Sequence, residues 1–216
     1  MANELQTQSD EAKNIGDEAS NDTGFQQMIK FKKGDYWCGE DQIPLGTRYI
    51  AHAVGWTKSW VHFENRTVVE RRNFRVAKGE KAPEREDIPD RDEAHWPYGL
   101  DGKNKTDPWV LQYLLPLEDM NSGDVSIFVG SSFGGRRAVS EVCAAYARRA
   151  GKQKTGQPII ELQETTFSSR TYGEVRRPLL RIVGWDGAEG TASERPTPSI
   201  SEADLKKAEF DDAIPF

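Results

Sequence analysis

The chain has 216 residues, 36% hydrophobic and 30% charged, a length that suits one folded domain with tails and an apolar share low enough that part of it is expected not to fold. Its net charge of −6 hides acidic ends (−5 over residues 1–22, −5 over 186–216) around a body of net +4, within which Gly79–Trp96 is −4. No apolar run nears the roughly 18–20 residues of a membrane-crossing helix. The two cysteines, Cys38 and Cys143, exclude a disulfide scaffold and a four-cysteine zinc site. Residues 1–20 show neither the basic nor the apolar region of a secretory signal, so a cytoplasmic location is expected.

Residues 1–24 are polar, acidic and aperiodic, and read as a disordered tail. Phe25–Phe31 reads as a short strand, and Lys32–Gly46 as turns around Tyr36 and Trp37. Thr47–Val54 alternates as a strand does, and Trp60–Phe63 with Thr67–Phe74 suggests a hairpin through Asn65 and Arg66. Residues 77–108 are polar, hold four prolines and predict a long loop. Trp109–Leu117 and Val125–Val129 read as strands around a turn at Asn121–Gly123. Gly134–Arg149 is the clearest helix: Ala138, Val142, Ala145 and Tyr146 share a face, Arg148 and Arg149 suit its negative end, and Gly151 ends it. Pro158–Phe167 and Pro178–Trp185 are two more strands, followed by a Gly/Ser/Thr/Pro/Glu linker.

This order predicts a mainly β fold with one helix. An OB-fold-like barrel, with its helix between the third and fourth strands, is favoured, and an α+β sheet is the alternative. The domain spans 25–185 with the insertion at 77–108, and 186–216 is a flexible linker and acidic tip.

A basic body between acidic ends suits a polyanionic partner. Single-strand binding needs aromatic faces for bases and cations for phosphates. The body interleaves both: Trp56, Lys58 and Trp60, then Arg71 and Arg72, then Phe133, Arg136 and Arg137, then Arg170, Tyr172, Arg176 and Arg177. Trp60 and His62 are expected on one strand face; Trp109 and Trp185, in apolar strands, belong in the core. The run Gly130–Arg137 (GSSFGGRR) joins a strand to the helix start. Its N–H groups suit a phosphate, and its glycines equally suit a tight turn.

Enzymatic patterns are incomplete. Ser132 stands in a G-x-S-x-G, but His52, His62 and His95 all precede it, whereas the hydrolase elbow needs its His afterwards. The same loop nearly fits a phosphate-binding loop, with Arg136 and Arg137 replacing the required Lys and Ser/Thr. Cys38, His52 and His62 would make only an irregular zinc site, and the acids of 84–93 read as a solvated loop rather than a magnesium site. No catalytic residue, cofactor or metal is expected.

The chain ends Asp211-Asp212-Ala213-Ile214-Pro215-Phe216, an apolar tip behind acids at the end of a linker. It resembles the C-terminal tip of bacterial and phage single-stranded-DNA-binding proteins through Asp211, Asp212, Ile214, Pro215 and Phe216; Ala213 departs from the pattern, where a third Asp is usual. The Phe216 ring suits an apolar pocket, and its carboxylate a basic rim. The body resembles uncharacterised phage and prophage proteins through Trp56 and Trp60, Asp107-Pro108-Trp109 and Gly134-Gly135-Arg136-Arg137. The resemblance implies a non-enzymatic protein of phage replication, recombination or repair in the bacterial cytoplasm. It would bind single-stranded DNA and recruit replication, recombination or repair proteins through the tip; a homo-oligomer fits the same reading. Two other readings remain: an adaptor or decoy that engages host proteins through the tip without binding DNA, and a small serine hydrolase centred on Ser132.

Overall fold

The computed structural model describes residues 27–65, 67–99, 102–169 and 173–187. Strands β1 (Met28–Lys32), β2 (Asp35–Cys38), β3 (Asp41–Ile43), β4 (Arg48–Ala51), β5 (Thr57–Glu64), β6 (Thr67–Arg75), β7 (Trp109–Asp119) and β8 (Val125–Gly130) precede helix α1 (Phe133–Ala150). β9 (Gln157–Ser169) and β10 (Gly173–Asp186) follow it. The mainly β fold with one helix is as expected.

The strands form one sheet in the order β10-β9-β4-β7-β8-β1-β2-β3, with β6 outside β5. β7, the most apolar strand, is its centre. One edge of β7 pairs with β5 along Trp109–Leu114 and with β4 along Leu117–Asp119, while the other edge pairs with β8. The β1–β8 pair is parallel, and the remaining pairs are antiparallel.

The sheet is open, so the expected closed barrel is corrected, as is the helix position: eight strands precede α1, not three. Two far parts of the sheet do meet through a side chain. Tyr36 on β2 is fully buried, and its O–H donates to the Gln163 carbonyl of β9 at 2.8 Å. β2 and β3 were expected to be turns; Gly34 and Gly39, both at positive φ, set off strands of four and three residues too short to show a period.

Helix α1 begins at Ser132, whose hydroxyl accepts the Gly135 N–H at 3.1 Å. Its buried face is Ala138, Val139, Val142 and Cys143, with Tyr146 partly covered; of the face expected from sequence, Ala145 is only half-buried. That face packs on Ile29, Leu115, Leu117, Phe128, Ile160, Leu162 and Leu180. Each fully buried Leu, Ile or Phe contributes roughly 1.5–3 kcal/mol. The opposite faces of β7 and β8 supply a smaller cluster, Leu114, Ile127 and Val129 with Met28.

The run of glycines before α1 has a packing cause. A Cβ on Gly130 would lie 2.6 Å from the Gly135 carbonyl carbon, and one on Gly134 would lie 2.8 Å from the Arg177 Cβ. The helix start therefore rests directly on the end of β8 and on β10.

Residues 77–108 carry no strand of the sheet among those described, only short 3-10 turns and one bridge between Tyr98 and Lys105. The segment is nonetheless firmly built, as described below. The expected disordered tails lie outside the described residues, as do the partner-binding residues Asp211, Asp212, Ile214, Pro215 and Phe216.

Candidate nucleic-acid interface

The sequence-expected residues divide into two groups on different parts of the sheet. The first gathers at the start of α1. Phe133, the first helical residue, is 68% exposed, unusual for a ring of that size. Arg137 stands one turn on, on the same side of the helix, and its guanidinium donates to Glu141 at 2.7 Å. Gly134, between them in sequence, abuts Arg177 of β10. One Arg177 guanidinium nitrogen, Nη1, is buried without a hydrogen-bond partner among the described residues. Arg176, the preceding residue, lies over the β1–β2 turn at Gly34, with Glu164 3.5 Å from its guanidinium.

Arg136 points the other way. β8 ends opposite Tyr113, which leaves the Leu111 carbonyl without a β8 partner, and Arg136 donates to that carbonyl at 3.2 Å and to the Ser131 carbonyl. The adjacent β7 residue, Gln112, accepts from Arg71, which also donates to the Ser59 hydroxyl, both at 3.3 Å. Arg71 and Arg136 thus donate to groups of β5 and β7.

The result is an arginine seam at the helix start, formed by Arg137 of α1 and Arg177 of β10, with the exposed Phe133 ring at the same helix end; Arg71, Arg136 and Arg176 are engaged elsewhere on the sheet. Glu141 pairs with Arg137 at 2.7 Å, and Glu164 lies 3.5 Å from Arg176. Sequence reasoning missed Gly34, Glu141 and Glu164, because their roles depend on contacts between distant parts of the chain. Arg170 and Tyr172 lie outside the described residues.

The second group does not join the seam. Cross-strand pairing puts Lys58, Trp60 and His62 on one face of β5, beside Phe74, Arg72 and Glu70 of β6 and Tyr113, Leu111 and Trp109 of β7. Trp60, expected as a stacking residue, is only 6% exposed: it packs with Trp109 and Ile88 under the 77–108 segment, and its indole N–H donates to the Pro83 carbonyl. The correction has a physical cause. An apolar ring on a strand face becomes core once a distant loop covers it, and the flanking Gly55, Lys58 and Ser59 carry no sign of that loop. Trp56 is half-buried against Tyr113, with the Lys58 ammonium over both rings, so Lys58 is also engaged. Arg72 pairs with Glu70 at 2.6 Å and lies over the Trp109 ring. Trp109 is core, as expected, while Trp185 is half-buried beneath Arg149.

The other chemical sets are dispersed. The Ser132 hydroxyl caps the helix, while His52 bonds Glu118, His62 stacks on Trp109 and His95 bonds Asp92. Cys38 donates to Gln27, and burial raises its thiol pKa. Burial pushes the Cys143 thiol up to about 12. Among the described residues no three His, Cys, Asp or Glu side chains group as metal ligands, and no helix is long and apolar enough to cross a membrane.

Compared with family models, curated proteins and solved structures, the chain gives no match.

Proposed function

We propose that the protein binds single-stranded DNA along the arginine seam. The reading rests on one observation: exposed Phe133 opens a helix whose next residue, Gly134, abuts Arg177 of β10, with Arg137 one turn further along the same side. Guanidiniums bind phosphates, and an exposed ring can stack only on a base released from a duplex. The far strands of the open sheet meet through Tyr36, and this curl supports reading it as a relative of the OB arrangement that has more strands, no closure and a later helix. The C-terminal tip supports a role in phage or prophage replication, recombination or repair in the bacterial cytoplasm, with the tip as recruiter of partner proteins. No catalytic step is part of the proposal.

The test is fluorescence anisotropy with labelled oligo-dT against duplex of equal length, at two salt concentrations, for the full chain and for a chain truncated after Asp204. The expected result is single-strand preference that weakens with salt and strengthens when the acidic tip is removed. Absence of binding by both chains overturns the proposal and leaves the adaptor reading.

A further inference from the structure

The 77–108 segment is acidic, a net of −4 over Gly79–Trp96, and lies on an aromatic strand face. Its shape is held by its own bonds. The Arg85 guanidinium grips Asp107 at 2.5 and 2.8 Å and reaches the carbonyls of Ile88, Pro89 and Asp90. The segment's two ends are bonded to the strands: Glu80 accepts the Arg75 N–H, the Pro108 carbonyl accepts the Phe63 N–H and Asp107 accepts the Trp109 N–H, while His62 lies 3.8 Å from Asp90. The Trp60 indole donates to the Pro83 carbonyl and the Trp109 indole to the Asp90 carboxylate, each at 2.9 Å, and Ile88 is wedged against both rings at 1% exposure. A body closed on itself, anchored at its two ends and held over the aromatic face at Pro83, Ile88 and Asp90, can lift from that face as a unit hinged at its ends.

The bed has the chemistry of a strand-binding surface. His62 stacks on Trp109 at 4.8 Å and 9°, and the Arg72 guanidinium lies 4.9 Å from the centre of the same ring. The covering groups are a carbonyl oxygen and a carboxylate, the kinds of acceptor that a nucleobase and a phosphate present.

We infer that the 77–108 segment is a detachable acidic strap, and that it occupies a second single-strand-binding face built on Trp60, Trp109 and Arg72. A bound strand displaces the strap and occupies this face. The inference rests on the proposed function for its ligand class.

The test uses the full chain, oligo-dT and the substitution Asp90→Asn. Asp90 has φ of 61°, which Asn adopts readily, so the turn is kept while one negative charge is lost and the bond to Trp109 is weakened. Native tryptophan emission checks the fold. The strap account expects Asp90→Asn to bind oligo-dT several-fold more tightly than wild type. It also expects amide hydrogen exchange over 83–96 to accelerate when oligo-dT is added to wild type. Equal affinity, with exchange over 83–96 unchanged or slowed by the strand, overturns the strap and leaves binding at the seam intact. Absence of binding by both proteins overturns the strap and the proposed function together. Binding by Asp90→Asn alone supports the strap and removes the seam as the primary site.

Discussion

Arg177 rests against the bare backbone of Gly134, so close that a Cβ there would lie 2.8 Å from its own. This contact fixes the start of α1, and with it Phe133 and Arg137 on its first turns, on β10. It predicts that Gly134→Ala destabilises the protein, because overpacking costs about 1–3 kcal/mol and the helix-propensity gain returns about 1 kcal/mol at most. Gly130→Ala is the more damaging change, since its Cβ meets the Gly135 backbone at 2.6 Å, where no side chain can move aside. Urea unfolding midpoints of the two variants check the order.

Single-strand affinity is expected to depend on the exposed members of the seam. Phe133→Ala removes a stacking ring worth about 1–3 kcal/mol per base, a loss of about 5- to 150-fold in affinity. Arg137→Ala removes a phosphate contact, which lowers the slope of log K against log salt by about 0.7. Both side chains point into solvent, so thermal midpoints should stay near wild type. Anisotropy titrations at several salt concentrations separate the two effects.

Trp60 behaves as core. Trp60→Ala is expected to cost about 3–5 kcal/mol, as large-to-small changes of buried aromatics do. A surface stacking residue would cost little. Chemical denaturation, followed by far-UV circular dichroism, decides between them.

Alkali should weaken the fold through two tyrosines. Burial raises the Tyr36 phenol well above its ordinary value, and burial, with Asp119 and Cys38 nearby, pushes Tyr49 up to about 12. Both hold their protons in the folded chain after the unfolded chain has begun to lose them. The stabilisation they give is complete below about pH 10 and declines as the pH rises from there through the folded-state values. Urea midpoints measured from about pH 9 to about pH 11 should fall, and Tyr36→Phe should flatten part of that fall. At neutral pH the same substitution loses the bond to the Gln163 carbonyl, a cost of about 0.5–1.5 kcal/mol.

Much of this architecture was legible from periodicity. The strands at Thr67, Trp109, Val125 and Pro158 and the helix lie where alternation and the apolar helical face put them, with ends shifted by a few residues. What sequence could not carry was long-range. Tyr36 looks like a turn aromatic until it is seen bonded to β9. Trp60 looks half-exposed until Ile88 and Pro83 cover it. The glycines of GSSFGG read as a phosphate cradle or a turn, and their close packing against Arg177 and within the strand–helix corner accounts for them. The arginines were visible as a pattern; that Arg177 abuts the helix start, Arg176 the turn at Gly34 and Arg72 the Trp109 ring depends on contacts between distant strands.

The most direct test of the central claim is photochemical cross-linking of oligo-dT to the full chain, with the modified residue located by peptide sequencing. The account predicts a cross-link at Phe133 that is lost at high salt and lost in Arg137→Ala/Arg177→Ala. Cross-links confined to residues away from the α1 start, or none with single strand at low salt, would contradict it.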